Sequence, residues 1–418
     1  MAKPERLSWE VHLDAPELNQ ANVVGWLHQN LAKTAVPASF EYKQEWLKSE
    51  GAFMLDPRLE LWRGEQHPPA TAPAFGIFMD SAPDRWGRVL MERREAAAAE
   101  REGRPMRTLR EMDFLLGVHD EVRMGALRFK DTGNGPFVDQ TYLAAPPVTS
   151  LRELADISRR IEDVGIEKLP EYERWLSMLV APGSSLGGAR PKANFRQADG
   201  SLWIAKFPAK DDRYDIGAWE QVLQILAVRA GINMPEAHLE ALSPDYRTYC
   251  SRRFDRTATG RRMYASAMTL LERQDGEAGG SYLDLAEFIS DYGARHQVEA
   301  DLHQLFRRVV FNVLVGNRDD HLRNHGFLRV PSGWVLSPAF DLNPSIAKAE
   351  HALTFDGKSA EPSITTVLST AELYRLSDAH AQEILVDVQK AVAEWKAVAS
   401  QLGLGRGEVQ RMEAVFKG

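Results

Sequence analysis

The chain has 418 residues, 44% of them hydrophobic and 26% charged, and its formal net charge is −8. This length predicts about two to three domains, and the composition is typical of a globular protein. The negative net charge argues against a broad nucleic-acid-binding face, because phosphate backbones require clustered lysine and arginine.

Cysteine content and hydropathy indicate the compartment. Cys250 is the one cysteine of the chain, which excludes a disulfide framework and a cysteine-based zinc site. The N-terminal residues have no apolar core of the signal-peptide type, and no stretch approaches the ~18 apolar residues of a membrane helix. We therefore expect a cytoplasmic protein that does not contact a membrane.

Segment 1–147 mixes short apolar stretches with turn-forming residues and predicts an N-terminal α/β subdomain. Within it, the mixed-charge sequence MERREAAAAEREGRPMR at 91–107 predicts a solvated helix that ends at Gly103. The sequence LAAPPVTS at 143–150 predicts the linker to the next segment.

Segment 148–256 contains a loop rich in glycine and serine, within GSSLGGARPKANF at 183–195. KANF, QADG and SLWIAKF then predict a strand, a turn and a second strand. The following sequence, DIGAWEQVLQILAVRAGINMP, predicts a helix, because its apolar residues recur at three- and four-residue spacing up to Gly231.

Segment 257–418 is mainly helical by the same criterion. The sequence DLHQLFRRVVFNVLVG at 301–316 has one apolar stripe, and a last long helix is predicted from Ser377 to Gly403. We therefore expect an α+β fold in which an all-helical C-terminal part follows the strand-containing segments.

Three residue groups before position 221 point to phosphate binding. Gly187 and Gly188 free the backbone to turn its amides toward a phosphate, although a glycine loop alone indicates only flexibility. Lys206 lies in an apolar strand, where a lysine must reach water or find an anion. The next helix carries Glu220. Loop, strand lysine and helical glutamate occur in this order in protein kinases, where they hold the α- and β-phosphates of ATP.

Two later motifs complete this set. Asp319 and Asn324 have the Asp-x-x-x-x-Asn spacing of the kinase catalytic loop, in which the aspartate accepts the substrate proton and the asparagine binds Mg²⁺. Asp341 stands where a kinase has the Mg²⁺-binding Asp of Asp-Phe-Gly, although Leu342 and Asn343 follow it here. Each feature is weak alone, but their order along the chain predicts a phosphotransferase.

As a set, GSSLGGARPKANF, IAKFP, RRFDR, GNRDDHLRNHGFL and LSPAFDLNPS resemble the motifs of the HipA-like kinases, the toxins of bacterial type II toxin–antitoxin pairs. FGIFMDSAPDRWGR at 75–88 also resembles the accessory N-terminal region of that family. The resemblance implies a protein-kinase-like two-lobe fold, with accessory subdomain 1–147, N-lobe core 148–256 and C-lobe 257–418.

The resemblance also implies a Ser/Thr protein kinase that uses ATP and Mg²⁺. Asp319 is then the catalytic base, Asn324 and Asp341 hold Mg²⁺, and His321 lines the phosphate site. The backbone of Arg253 and Phe254 would form the adenine-binding hinge. The residues implied at the ATP site are Ser185, Gly187, Gly188, Lys192, Lys206, Glu220, Arg253 and Phe254.

Members of the family autophosphorylate a serine in the glycine loop and thereby stop their own activity. Ser185 falls at that position, and Ser184 is its rival. Known family substrates include aminoacyl-tRNA synthetases. The usual partner is a small helix-turn-helix antitoxin, so DNA is contacted only through that partner.

The motifs also depart from the family pattern, and other functions remain open. Arg190 and Pro191 precede Lys192 where the family varies; Asp320 either assists metal or substrate binding or faces water, and His325 has no assigned role. The alternatives are a metallohydrolase with His321, His325 and Asp320 as ligands, a small-molecule kinase, and an inactive kinase fold that serves as an antitoxin-bound corepressor.

Overall fold

The structure is a computed structural model that describes residues 5–18, 22–31, 37–131, 135–140, 145–161, 163, 165–169, 171–179, 190–274, 276–277 and 279–416. The chain divides into two compact units, Met1–Ala205 with Asp255–Ala265, and Lys206–Phe254 with Ser266–Gly418. The three functional segments expected from the sequence stay a prediction.

The first unit contains strands and helices in alternation. Its strands are β1 (Glu5–Leu13), β2 (Val23–Leu31), β3 (Ser39–Tyr42), β4 (Glu65–Gln66), β5 (Leu127–Asp131), β6 (Phe137–Val138), β7 (Lys192–Arg196) and β8 (Leu202–Lys206), whose last residue belongs to the second unit. Its helices are α1 (Gln44–Leu47), α2 (Gly76–Met79), α3 (Arg85–Glu102), α4 (Glu111–Leu116), α5 (Leu151–Arg160) and α6 (Tyr172–Leu179).

A six-stranded sheet in the order β4-β3-β2-β1-β5-β6 forms the core of this unit. Alternate residues of β1, namely Trp9, Val11 and Leu13, are buried, as expected for a strand with one face on the core. The predicted mixture of helix and strand in this part is confirmed. The predicted Ala-rich helix is α3, and it ends as expected at Gly103, whose φ of +64° is left-handed.

Asp84 joins the start of α3 to the strand that follows the glycine loop. Its Oδ1 accepts a hydrogen bond from the backbone amide of Gly87 at 2.9 Å and so caps the helix. Its Oδ2 lies 2.6 Å from Nζ of Lys192, and both side chains are almost fully buried. A buried ion pair is sensitive to the loss of either partner, because the remaining charge stays out of water.

Asp84→Ala should therefore lower the free energy of unfolding by about 3–5 kcal/mol. The matched control is Ser377→Ala, which removes an N-cap that accepts from the amide of His380 but no ion pair, and which should cost about 1 kcal/mol. Denaturant-induced unfolding measures both values. A loss for Asp84→Ala no larger than that of the control would contradict a stabilising pair.

The last two residues of the RRFDR motif hold a turn of the N-terminal part. The carboxylate of Asp255 is fully buried and accepts from the amide of Gly125 at 2.8 Å. The guanidinium of Arg256 donates to the carbonyl oxygens of Glu121 and Arg123 at 3.0 and 2.7 Å. This half of the motif is structural, because it satisfies buried backbone groups of the first unit.

The second unit is mainly helical. Its helices are α7 (Ile216–Arg229), α8 (Ala267–Leu270), α9 (Tyr282–Tyr292), α10 (Val298–Val315), α11 (Ile364–Leu368), α12 (Asp378–Val392), α13 (Trp395–Gln401) and α14 (Arg406–Met412). Its strands are β9 (Ala237–Glu240), β10 (Thr248–Arg252), β12 (Gly326–Val330) and β13 (Gly333–Leu336), and β11 (Tyr264–Ser266) ends in it.

The central helix of this unit is α10, and it leads directly to the polar loop after it. Its predicted apolar stripe is buried throughout, from Leu302 to Leu314. Gly316 ends the helix with a φ of +63°, and a Cβ there would lie 2.4 Å from Cγ1 of Val415. Glycine is required at this position for both reasons, and it fixes where the loop with Asp319 begins.

Two expectations for the C-terminal part are wrong. It is not all-helical, because β12 and β13 pair antiparallel with Phe327 opposite Leu336. The two segments are too short for a separate helix, and Pro331–Ser332 turns the chain between them. The last long helix is also interrupted at Ala393 and Glu394 and forms α12 and α13. In the described part of the chain, no helix has the length and apolar character needed to cross a bilayer.

Candidate active site

The end of β8 and the middle of α7 form an ion pair. Nζ of Lys206 lies 2.5 Å from Oε1 of Glu220. Glu220 lies in α7 and is buried, so its carboxylate is shielded from water. Nζ of Lys206 also lies 2.8 Å from Oδ1 of Asp341. The structure therefore brings together three of the predicted site residues.

The charge of Lys206 is stabilised by these two carboxylates. Burial alone lowers the pKa of this ammonium, but Asp341 and Glu220 more than offset burial, so the net pKa lies above its ordinary value. Lys206 is therefore a permanent cation near neutral pH. A fixed cation between two carboxylates is suited to binding an additional anion, such as a phosphate, if one carboxylate turns toward a metal ion.

Asp341 is held in an uncommon backbone conformation. Its φ of +59° is left-handed, which few residues other than glycine adopt, although aspartate is among those that tolerate it. Nδ2 of Asn343 approaches Oδ1 of Asp341 at 3.4 Å. Non-glycine residues in this region occur often at functional sites, where the surrounding structure maintains the strain.

The loop that follows Gly316 carries the other predicted pair. Nδ2 of Asn324 donates to the backbone carbonyl of Asp319 at 3.1 Å, so the asparagine holds the backbone of the candidate base. The Asp319 side chain is 60% exposed, and its carboxylate forms an ion pair with Nζ of Lys348. The base candidate is thus accessible from solvent, while its backbone is fixed.

Hydrogen bonds connect this loop to the segment after Asp341. Oδ1 of Asn317 accepts from the amide of Asn343 at 3.3 Å, and the carbonyl of Gly316 accepts from the amide of Ser345 at 2.9 Å. The carbonyl of Arg318 likewise accepts from the amide of Ala352 at 3.1 Å. The segments of the candidate base and of the candidate metal ligand are therefore neighbours in space.

The donor set fits a magnesium ion. Within the described residues, the side-chain oxygens of Asn324 and Asn343 are buried and accept no hydrogen bond. A buried acceptor without a partner is unusual and calls for a ligand. Amide and carboxylate oxygens are hard donors that Mg²⁺ prefers, and Asp341 supplies the carboxylate. Asn343 was missed in the sequence, where it marked only the absent glycine of Asp-Phe-Gly.

Several predicted residues lie elsewhere or outside the described part. The Lys192 ammonium contacts Asp84 within the first unit, so its contact with ATP stays a prediction. Phe254 packs on Phe340 at a ring distance of 5.5 Å, and Arg253 before it is buried. The four glycine-loop residues predicted to bind ATP or to be phosphorylated lie outside the described residues: Ser184, Ser185, Gly187 and Gly188.

The two histidines of the loop have different surroundings. The amide of His321 donates to the carbonyl of Asp319 at 3.0 Å, and its Nδ1 is buried without a hydrogen bond from any described residue. Nε2 of His325 lies 2.8 Å from Oδ2 of Asp320. The two histidines do not share a helix face, since a short 3-10 turn, Leu322–Asn324, separates them. This geometry gives no support to the metallohydrolase alternative.

Comparison with known proteins identifies the family of the chain. A family model described as the HipA-like C-terminal domain matches residues 184–395, just over half of the chain. None of the curated proteins matches the sequence.

Solved structures also match the chain. One is a chain of the Shewanella oneidensis MR-1 toxin–antitoxin complex of HipA, HipB and operator DNA; it is 16% identical, with 97% of this chain and 94% of that chain covered and a TM-score of 0.66. The Helicobacter pylori proinflammatory kinase CtkA is 13% identical over 50% of this chain and 94% of its own, but its TM-score of 0.34 is too low to indicate a shared fold. The Shewanella structure shows a common fold, and the match to the family model confirms the resemblance seen in the motifs: this chain belongs to the HipA-like C-terminal domain family.

Proposed function

We propose that this protein is an ATP- and Mg²⁺-dependent Ser/Thr protein kinase that acts as the toxin of a toxin–antitoxin pair. The observation that carries the proposal is Lys206 held between Glu220 and Asp341, on a segment joined to the loop of Asp319. A kinase needs a phosphate-binding cation, its orienting carboxylate, a metal ligand and a base in one place. A protein-kinase-like arrangement of two lobes is part of the same proposal.

In the proposed reaction, the ammonium of Lys206 binds the α- and β-phosphates of ATP, and Glu220 orients it. Asp341 and Asn324 would hold Mg²⁺, which would neutralise charge at the phosphates. Asp319 accepts the proton of the attacking hydroxyl, whose oxygen bonds to the γ-phosphorus while the bond to ADP breaks and ADP leaves. The hydrogen bond from Nδ2 of Asn324 to the carbonyl of Asp319 keeps the backbone of the base in position. Because little covalent chemistry falls to the protein, positioning and charge account for most of the rate.

The exposure of the base favours a protein substrate over a small molecule. Asp319 and Lys348 keep 60% and 48% of their side-chain surfaces exposed. Small-molecule sites usually enclose most of the ligand surface. A base on an open surface can instead meet a serine or threonine on another polypeptide, or on the glycine loop of this chain, where Ser185 or Ser184 is the proposed autophosphorylation site.

The proposed partner is a helix-turn-helix antitoxin, which would bind operator DNA while this chain contacts DNA only through it. The similar Shewanella HipA occurs in such a complex, and the net charge of −8 is consistent with an indirect role in DNA binding. Aminoacyl-tRNA synthetases are the proposed class of cellular target, as for other members of the family.

Growth of bacteria tests this proposal. Expression of the wild type without an antitoxin should stop growth, and Asp319→Asn expressed to the same level should not. Phosphoproteomics of the arrested cells should reveal a Ser or Thr site that is absent with Asp319→Asn. Equal growth arrest by both proteins would refute a toxicity that depends on the kinase.

A further inference from the structure

A second carboxylate, directly after the candidate base, is buried rather than exposed. Asp320 retains 2% of its surface, in contrast to the 60% exposed side chain of Asp319. Asp320 therefore does not face water, which was one of the two expectations for it.

One oxygen of Asp320 receives three hydrogen bonds. Its Oδ2 accepts from Oη of Tyr282 at 2.7 Å and from Nδ2 of Asn312 at 2.7 Å, and Nε2 of His325 lies 2.8 Å away. Tyr282 begins α9 and Asn312 lies near the end of α10. The side chain of Asp320 thus fixes the loop to helices α9 and α10, and to His325 at the other end of the loop.

The charge of Asp320 is retained by these contacts. Burial by itself raises the pKa of this carboxyl, but His325, Tyr282 and His321 outweigh burial, and the net pKa is lowered. Burial and the neighbouring Asp320 raise the pKa of Tyr282 well above its ordinary value, so the phenol keeps its proton and remains a donor. A buried carboxylate with several donors is rigid, because each bond constrains the others.

The hydrogen bonds continue from Asp320 to the Lys206 group. Oδ1 of Asn312 accepts from Nδ2 of Asn317 at 3.0 Å, and Oδ1 of Asn317 accepts from the amide of Asn343 at 3.3 Å. Nδ2 of Asn343 then approaches Oδ1 of Asp341, which contacts Lys206. The segments of the base and of the metal ligand therefore share one polar network.

We propose that Asp320 is a positioning residue for phosphoryl transfer: by binding Tyr282, Asn312 and His325, it fixes loop 317–325 so that Asp319 and Asn324 are presented together. Asp320 itself touches neither substrate nor metal. This inference rests on the proposed kinase function for its kinetic consequence, whereas its effect on the loop does not depend on activity. Displacement of reacting groups by about 1 Å can cost about 10²-fold in rate.

The test compares Asp320→Asn with Asp301→Asn. Asp301 is also a buried carboxylate of the second unit, and it accepts from the amide of Leu336 at 2.8 Å. Burial raises the pKa of Asp301, so a neutral amide is a mild replacement there. In Asp320→Asn, kcat should fall by about 10²-fold while KM for ATP stays within about threefold. In Asp301→Asn, kcat and KM for ATP should both stay within about threefold of the wild-type values.

Amide hydrogen exchange by mass spectrometry, without nucleotide, gives the second result. Exchange of amides 317–325 should rise at least about tenfold in Asp320→Asn, whereas exchange in α12 should be unchanged, because the opening is local. A merely structural role would raise exchange in both regions. Either that uniform rise or a wild-type kcat would overturn the proposal.

The test also covers a variant that does not fold and a wild type without activity. If Asp320→Asn does not fold, Tyr282→Phe removes one donor of the network, and the same two measurements decide with smaller changes in the same direction. If the wild type itself transfers no phosphate, the kinase proposal fails, and the exchange measurement still tests the positioning of the loop.

Discussion

Asp319→Asn is expected to reduce phosphoryl transfer by about 10²–10⁴-fold, the usual contribution of a general base. The fold should survive, because the side chain is 60% exposed and its pair with Lys348 is of the surface kind, which contributes about 0–1 kcal/mol. Affinity for ATP with Mg²⁺ should also survive, since Lys206, Glu220 and Asp341 are retained. Single-turnover kinetics and a binding titration separate the two quantities.

A matched control removes a charge elsewhere in the same unit. Asp378→Asn changes an exposed aspartate in the first turn of α12 and should leave the transfer rate unchanged. Transfer by Asp319→Asn at the rate of this control would exclude Asp319 as the base.

Asp341→Asn is expected to lower both transfer and the dependence of ATP binding on Mg²⁺. The change removes a carboxylate from the metal site and one of the two carboxylates at Lys206, and loss of such electrostatic stabilisation costs about 10²–10³-fold in rate. With Mg²⁺, affinity for ATP should fall. Without Mg²⁺, it should equal or exceed that of the wild type, because Lys206 loses a competing anion.

Lys206→Met is the matched counterpart of this variant. It removes the phosphate-binding cation and should weaken ATP binding whether or not Mg²⁺ is added. Isothermal titration of both variants, with Mg²⁺ and with a chelator, gives the comparison. If Asp341→Asn kept the full effect of Mg²⁺ on ATP binding, the metal would have to lie elsewhere.

The order of motifs predicted the centre of this site. Lys206 and Asp341 are 135 positions apart, and no local pattern reports their contact; the expectation came from the succession of loop, lysine, glutamate, base and metal ligand. Lys206 contacts both carboxylates, and the roles of these residues at ATP and Mg²⁺ stay a prediction. The helix ends near Gly103 and Gly316 could be predicted from local sequence, because a residue with left-handed backbone conformation is needed there and glycine adopts it readily.

The polar support of the loop could not be predicted in the same way. The seven side chains of DDHLRNH follow no helical or strand period, so the sequence does not indicate which of them face inward. Asp320 and His325 are buried because α9 and α10 supply Tyr282 and Asn312, which lie 38 and 8 positions from Asp320. The strand β12 was missed because it is short and partly apolar, which fits a helix end equally well.

The most direct test of the kinase assignment is transfer of the γ-phosphate of labelled ATP by the purified protein. With Mg²⁺, the wild type should incorporate label, and peptide mass spectrometry should locate it at Ser185 or Ser184 after any phosphate acquired during expression has been removed. With a chelator, or in Asp319→Asn, incorporation should be absent. If the wild type acquired no label with Mg²⁺ and transferred none to any bacterial protein, the kinase assignment would be contradicted.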